Sequence, residues 1–177
     1  QPFVASERGI DTPEKALQGA CDILAERFSE DAALRGRLRE HAFATAVLAS
    51  RAHRGADPER LKHFSDYTAY RESVCRVPSH RFLAVMRGSA EKVLSVGVEQ
   101  DDAFAVAAMA RAFLRGRSIF EGLLRQTIDD AFKRLVGPSI ENEVLAGLKE
   151  RADREAVKVF RTICGICCWP RHRLGSW

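Results

Sequence analysis

Apolar residues recur at three- and four-residue spacing along almost the whole of this chain, in blocks set apart by capping residues, glycines and prolines. A chain patterned this way folds as packed amphipathic helices. The first block, "DTPEKALQGACDILAERF", has Thr12 as a cap and Pro13 in the first turn, where the missing N–H costs nothing. Leu17, Cys21, Leu24 and Phe28 then form one stripe. Ser29 is expected to open a second helix, with Glu30 and Asp31 in its first turn, Leu34, Leu38 and Ala42 on its inner face, and Gly55 at its end.

Asp57 before Pro58 marks a short helix, and Phe64, Tyr67 and Tyr70, three apart, fit a helical turn against the core. Pro78 breaks the pattern, and Ser79 is placed to cap a helix that Gly88 closes. Only "KVLSVGVEQ" alternates in the manner of a strand. One strand makes no sheet, so it calls for a partner outside the segment or a weak local pairing. Further on, "DDAFAVAAMARAFLRG" ends at Gly116, Ser118 and Glu121 have the spacing of a capping box, and a last helix follows Pro138. That helix sets Ile140, Val144, Leu148, Ala152, Ala156 and Val159 on one face. The expected architecture is mainly α: a multi-helix bundle over residues 1–160 with one short β-strand near 93–99.

The 28 Lys and Arg against 24 Asp and Glu give a net charge of +4. Three of the basic residues, Arg161, Arg171 and Arg173, lie in a tail without an acid, so residues 1–160 carry only +1. Charges of both signs mixed along helices form solvated surface, and net charge alone does not establish a nucleic-acid partner. No apolar run spans a bilayer and no charged-then-apolar leader opens the chain, which makes the cytoplasm the default expectation and a membrane partner unexpected. The first residue is Gln1 rather than Met, as in a piece of a longer sequence.

Catalytic material is sparse. Ser79 and His80 are neighbours, but on a helix they point about 100° apart, whereas a nucleophile and its base must be within hydrogen-bonding reach. The pairs Asp101–Asp102 and Asp129–Asp130 lack a third ligand and fit capping or surface roles, and no phosphate-binding loop occurs. Cys21 and Cys75 read as small packing residues. No cofactor is implied and the chain is not expected to be an enzyme. The candidates for nucleic-acid contact are Arg35, Arg37 and Arg39, with Arg51 and Arg54 as a further cluster, and His80 and Arg81 near a helix start, where N–H groups attract anions. The last residues, "TICGICCWPRHRLGSW", offer Cys164, Cys167, Cys168 and His172 as zinc ligands. Structural zinc sites pair two knuckles across a loop, and four ligands crowded into nine residues around a proline make a poor one.

"DILAERFSEDAALRGRLRE", "VCRVPSHRFLAVMRG" and "KRLVGPSIENEVLAGLKERADREAVKVF" resemble the N-terminal helical part of the Tex family of bacterial transcription accessory proteins. The resemblance runs from about Ala16 to Phe160. Its most specific blocks are Pro78-Ser79-His80-Arg81, Arg87-Gly88 and Pro138-Ser139-Ile140-Glu141-Asn142-Glu143. It implies a helical scaffold from a longer protein in which a ribonuclease-H-like domain, helix-hairpin-helix modules and an RNA-binding OB-type domain follow, with nucleic acid and the transcription machinery as partners. The chain departs from the pattern at Phe64-Ser65-Asp66-Tyr67-Thr68-Ala69-Tyr70, which lacks one aromatic and one acid, and at Ser89, where glutamate is usual.

Beyond Phe160 the resemblance stops, and the codons explain how. Ile-Cys-Cys-Trp-Pro, read two bases out of frame, gives leucine at each cysteine codon boundary and then alanine, and Ile163-Cys164 gives leucine too, an ATA isoleucine codon being the sole exception. With CGG as the triplet after the first leucine, the shifted reading is Leu-Arg-x-Leu-Leu-Leu-Ala, which resembles the family's continuation. Residues 161–177 are therefore read as an out-of-frame, disordered tail on a truncated fragment. Val159 and Phe160 are then expected to be exposed, with self-association as a consequence. The alternatives are a stand-alone basic helical module that binds nucleic acid and a zinc-binding helical module built on the terminal cysteines.

Overall fold

The computed structural model describes residues 12–114 and 119–167, the last three of them in backbone only. Helix α1 (Pro13–Glu30) starts as its sequence dictates: the Thr12 hydroxyl accepts from the Lys15 N–H at 3.3 Å, and Pro13 follows. Its buried residues are Cys21, Ala25 and Phe28, whereas Leu17 is half exposed, so the stripe begins one turn later than its spacing predicts. Ser29 does not open a new helix; its hydroxyl donates to the Glu26 carbonyl at 2.7 Å. Asp31 does, accepting from the Leu34 N–H at 2.7 Å, and α2 (Ala32–Thr45) buries Leu34, Leu38 and Ala42 as expected.

The mainly helical expectation holds, and so does the strand near 93–99. The unexpected part is that two further strands form within the chain, one of them pairing with that strand and with the other. The helix expected to reach Gly55 stops at Thr45, and Val47–Ala52 forms β1. The aromatic stretch read as one helical turn divides into a short helix α3 (Pro58–Lys62), a 3₁₀ turn (Ser65–Tyr67) and strand β2 (Ala69–Ser73). With β3 (Leu94–Glu99) these make an antiparallel sheet in the order β2-β1-β3, with Val47 opposite Ser73 on one side and Glu99 on the other. The alternation along β1 turns Leu48 and Ser50 inward; Leu48 is fully buried, and the Ser50 hydroxyl donates to the Tyr67 carbonyl at 2.6 Å. Cross-strand packing overrides the helix preference of an alanine-rich run here.

Helix α4 (Ser79–Ala90) lies between β2 and β3 in sequence and packs on the chain's longest helix. At Gly88 an added methyl carbon would sit 2.6 Å from the Leu94 side chain and 3.1 Å from Phe64, so only glycine lets β3 and the Phe64 ring approach this close. Asp101 caps α5 (Asp102–Phe113), accepting from the Phe104 N–H at 2.9 Å. The capping box expected at Ser118 lies outside the described residues; α6 (Glu121–Ala131) starts without a side-chain cap.

Helix α6 runs through a π-helical turn (Phe132–Val136) into α7 (Gly137–Cys167), and the two helices expected on either side of Pro138 join there. Proline lacks the N–H that would bond to residue 134 and crowds its carbonyl. The wide turn, closed by the Gly137 N–H on the Phe132 carbonyl, accommodates this without a break. Helix α7 has 31 residues and is about 46 Å long. Ile140, Val144, Leu148 and Ala152 are buried along it, but Ala156, Val159 and Phe160 are exposed, so the stripe leaves the core after Ala152. The exposure of Val159 and Phe160 was expected. The helix also continues to Cys167, through the first seven residues of the segment read as a tail.

Leu148→Ala is expected to lower unfolding free energy by about 2–5 kcal/mol, and Phe160→Ala to change it by less than about 0.5 kcal/mol, both read from urea transitions. A large loss at Phe160 would show that the end of α7 is covered in solution.

Candidate nucleic-acid interface

The sequence-derived candidates are split: Arg35 and Arg39 face α7, Arg37 does not, and His80 and Arg81 stand at the start of α4. Arg35 and Arg39, one turn apart on α2, both turn toward α7. The Arg35 guanidinium pairs with Glu143, donates to the Ser139 hydroxyl at 2.7 Å and to the Ser29 carbonyl at 3.2 Å, and is half-buried. Arg39 reaches the same Glu143 at 3.6 Å but is largely exposed. Arg37 lies on the other side of α2 beside Asp31 and Phe113. The three do not form one basic surface: Arg35 clamps two helices together, with its donors spent inside the fold.

His80 and Arg81 stand at the start of α4. Arg81 contacts Glu72 of β2 at 3.4 Å, and Glu72 also accepts the hydroxyl hydrogen of Tyr70. Burial, and then the Glu72 carboxylate, push the Tyr70 phenol up from 10.0 to about 12. The hydrogen bond to Glu72 raises Arg81 further above its ordinary value. The Ser79 hydroxyl is buried without a partner while His80 is exposed, so the two make no nucleophile–base pair. Near this end of α7, Arg151 donates to the Val77 carbonyl at 2.6 Å. Glu143 and Arg151 are eight positions apart, about 12 Å along the helix, which separates the two candidate groups.

The charge is divided unevenly along residues 1–160. Residues 51–92, which contribute α3, β2 and α4, hold nine Lys and Arg against five Asp and Glu, a net of +4, with three histidines. Residues 1–50 carry a net of −2 and residues 93–160 a net of −1. Within the basic segment lies a groove of ≈ 590 Å³ between α3, the 3₁₀ turn and α4, lined by Arg60, His63, Phe64, Tyr67, Leu83 and Arg87, with Glu91 and Ala84 completing its wall. Arg60 and His63 are exposed; Arg87 holds Glu91 one turn on at 2.9 Å. Neither Arg60 nor His63 stood among the candidates, since nothing in the local sequence shows that α3 and α4 share a groove.

Of the zinc candidates only Cys164 has a described side chain, half-exposed and unpaired; the side chain of Cys167, and Cys168 and His172 entirely, lie outside the described residues. Among the described residues no three His, Cys, Asp or Glu side chains converge. Cys21 is buried as expected, but Cys75 is exposed, its sulfur 3.2 Å from the Ser73 hydroxyl, so it is not a packing residue. No described helix is long and apolar enough to cross a membrane.

A sequence model of the family described as Tex central region-like matches residues 1–160. The Transcriptional accessory protein Tex of Neisseria gonorrhoeae is 37% identical over 157 residues, 85% of this chain and 21% of that protein. Protein YhgF of Escherichia coli (strain K12) is 32% identical over 168 residues, 89% of this chain and 22% of that protein. The S1 RNA-binding domain-containing protein 1 of Pongo abelii is 26% identical over 165 residues, 86% of this chain and 17% of that protein. The chain thus spans about a fifth of the length of the curated relatives it matches.

Arg35→Ala is expected to destabilise the fold by about 1–3 kcal/mol, because it leaves Glu143 and Ser139 without a half-buried cation, and Arg39→Ala by less than about 1 kcal/mol. Equal losses in denaturant titrations would contradict the clamp. The Tyr70 phenol, raised when folded, contributes stability that is whole below pH 10 and is lost as pH rises from 10.0 to about 12. Tyrosinate absorbance of a Tyr67→Phe variant should therefore develop near pH 12, and Glu72→Gln should move it down.

Proposed function

Because the chain belongs to the Tex family, we propose that it serves as a non-enzymatic helical scaffold within a transcription accessory protein that acts on nucleic acid in the cytoplasm. The observation that carries this reading is α7: one helix gathers α2, α4 and β3 along its first four turns and then extends past the body. A rod of this kind fixes the relative positions of whatever is joined to its ends. The relatives' names supply the setting, transcription for the Neisseria gonorrhoeae protein and an S1 RNA-binding domain in the Pongo abelii protein. The Ser79 hydroxyl, buried with no hydrogen-bond partner while His80 is exposed, supports the non-enzymatic part.

A second reading, in which this chain itself touches nucleic acid, is favoured by the +4 gathered in residues 51–92. Phosphate contacts release counterions, so such binding weakens steeply with salt. The test is fluorescence anisotropy of a labelled single-stranded oligonucleotide with this chain and with a full-length relative. The scaffold reading expects the relative to bind at least about tenfold more tightly, with the rest of the longer protein supplying most contacts. Equal affinities would assign recognition to this chain and refute a purely supporting role. Under the second reading, a fourfold rise in salt should weaken binding of this chain by roughly tenfold.

A further inference from the structure

We infer that the groove between α3 and α4 is a binding site for an unpaired base of a single-stranded nucleic acid, with Tyr67 as its stacking surface and Arg60 as its phosphate contact. This rests on the second reading above and names the residues that would carry it. Three observations converge. The groove is lined by two aromatic rings, Phe64 and Tyr67, and by Leu83, which is 37% exposed, so an apolar floor stands open. A cation borders that floor: Arg60 is exposed, as is the His63 ring beside it, and the Arg60 side chain makes no hydrogen bond or ion pair among the described residues. The groove also lies within the only one of the three stretches of residues 1–160 compared above that carries net positive charge.

Aromatic faces interleaved with cations are what a single strand needs, because its bases offer planar apolar faces and its backbone a charge at every step. A duplex hides its base faces in the stack and could use only the cations. An acidic peptide would match the arginines but gain little from the rings. Arg87 enters as a reserve: its contact with Glu91 is solvent-exposed and one turn long, and a phosphate competes well for a guanidinium held that loosely. Tyr67 is held in position from outside the groove, by Tyr70, edge to face at 5.5 Å, and by the Ser50 hydroxyl on its carbonyl. Gly88 keeps Phe64 close against α4, which sets the groove's depth.

The test uses the full chain with labelled oligouridylate and oligodeoxythymidylate at low salt. Arg60→Glu should weaken binding about fivefold or more and flatten the salt dependence by about one counterion. Tyr67→Leu should weaken it by about fivefold or more with the salt slope unchanged, because stacking releases no counterions. Arg111→Glu, the same charge change on α5, serves as the control and should bind like the parent. Far-UV circular dichroism and melting identify any variant that has lost its fold; exposed Arg60 keeps the test open if Tyr67→Leu has. Loss with either strand, confined to the two groove variants, supports the site, and a preference between the strands reports whether the ribose hydroxyl is read. If the parent binds and all three variants bind equally, the groove is overturned while the second reading stands. If the parent binds neither strand, both fall.

Discussion

The fold depends on how α7 begins. Within seven residues, Gly137 closes the π-helical turn, Pro138 forces it, Ser139 and Glu143 take the Arg35 guanidinium, Ile140 enters the core, and Glu141 reaches the sheet. The last contact sets where β3 can stand. Glu141 accepts the Val98 N–H at 2.9 Å on the side of β3 facing away from β1. A free edge N–H invites another strand, and a carboxylate from α7 occupies it here. Glu143 does the corresponding work for α2. The helix start thus fastens a sheet edge on one side and a helix on the other, through two acids two positions apart.

The π-helical turn also explains how one stripe stays buried over so long a run. Phe132, Val136, Ile140, Val144, Leu148 and Ala152 follow one another at steps of four, each at most 4% exposed. In an ideal α-helix, steps of four advance about 40° each, so the stripe would drift off the core within a few turns. A wider turn at its start rotates it back. By Ala152 the drift has won, and the residues beyond it, Val157, Val159, Phe160 and Ile163, are all more than half exposed.

What the sequence could show divides along the range of the interactions. Thr12, Asp57 and Asp101 were legible as caps because each bonds to an N–H two or three residues away. Strand β3 was legible because its own residues alternate. Strand β1 was not: Ala46 to Ala52 continues an alanine-rich helical pattern, and only pairing with residues 18 to 26 and 42 to 52 positions on makes it a strand. Once β1 exists, β2 follows as its other neighbour. The most attractive basic cluster failed for the same reason. Arg35 meets its partners 104 and 108 positions away, and no local rule marks it as a clamp rather than a ligand-binding group.

A cation's availability, more than its presence, decides whether it can bind a phosphate. Arg35 has exchanged water for three protein acceptors, and recruiting it would cost the α2–α7 contact. Arg81 shares Glu72 with Tyr70, so moving it would leave a carboxylate and a phenol facing each other without their counter-charge. Arg60 holds nothing in place, and beside it the aromatic rings that pack α3 onto α4 leave a face open. The basic insertion between β1 and β3 can therefore engage a ligand without loosening α7, which allows one short chain to be rigid along its spine and receptive at its side.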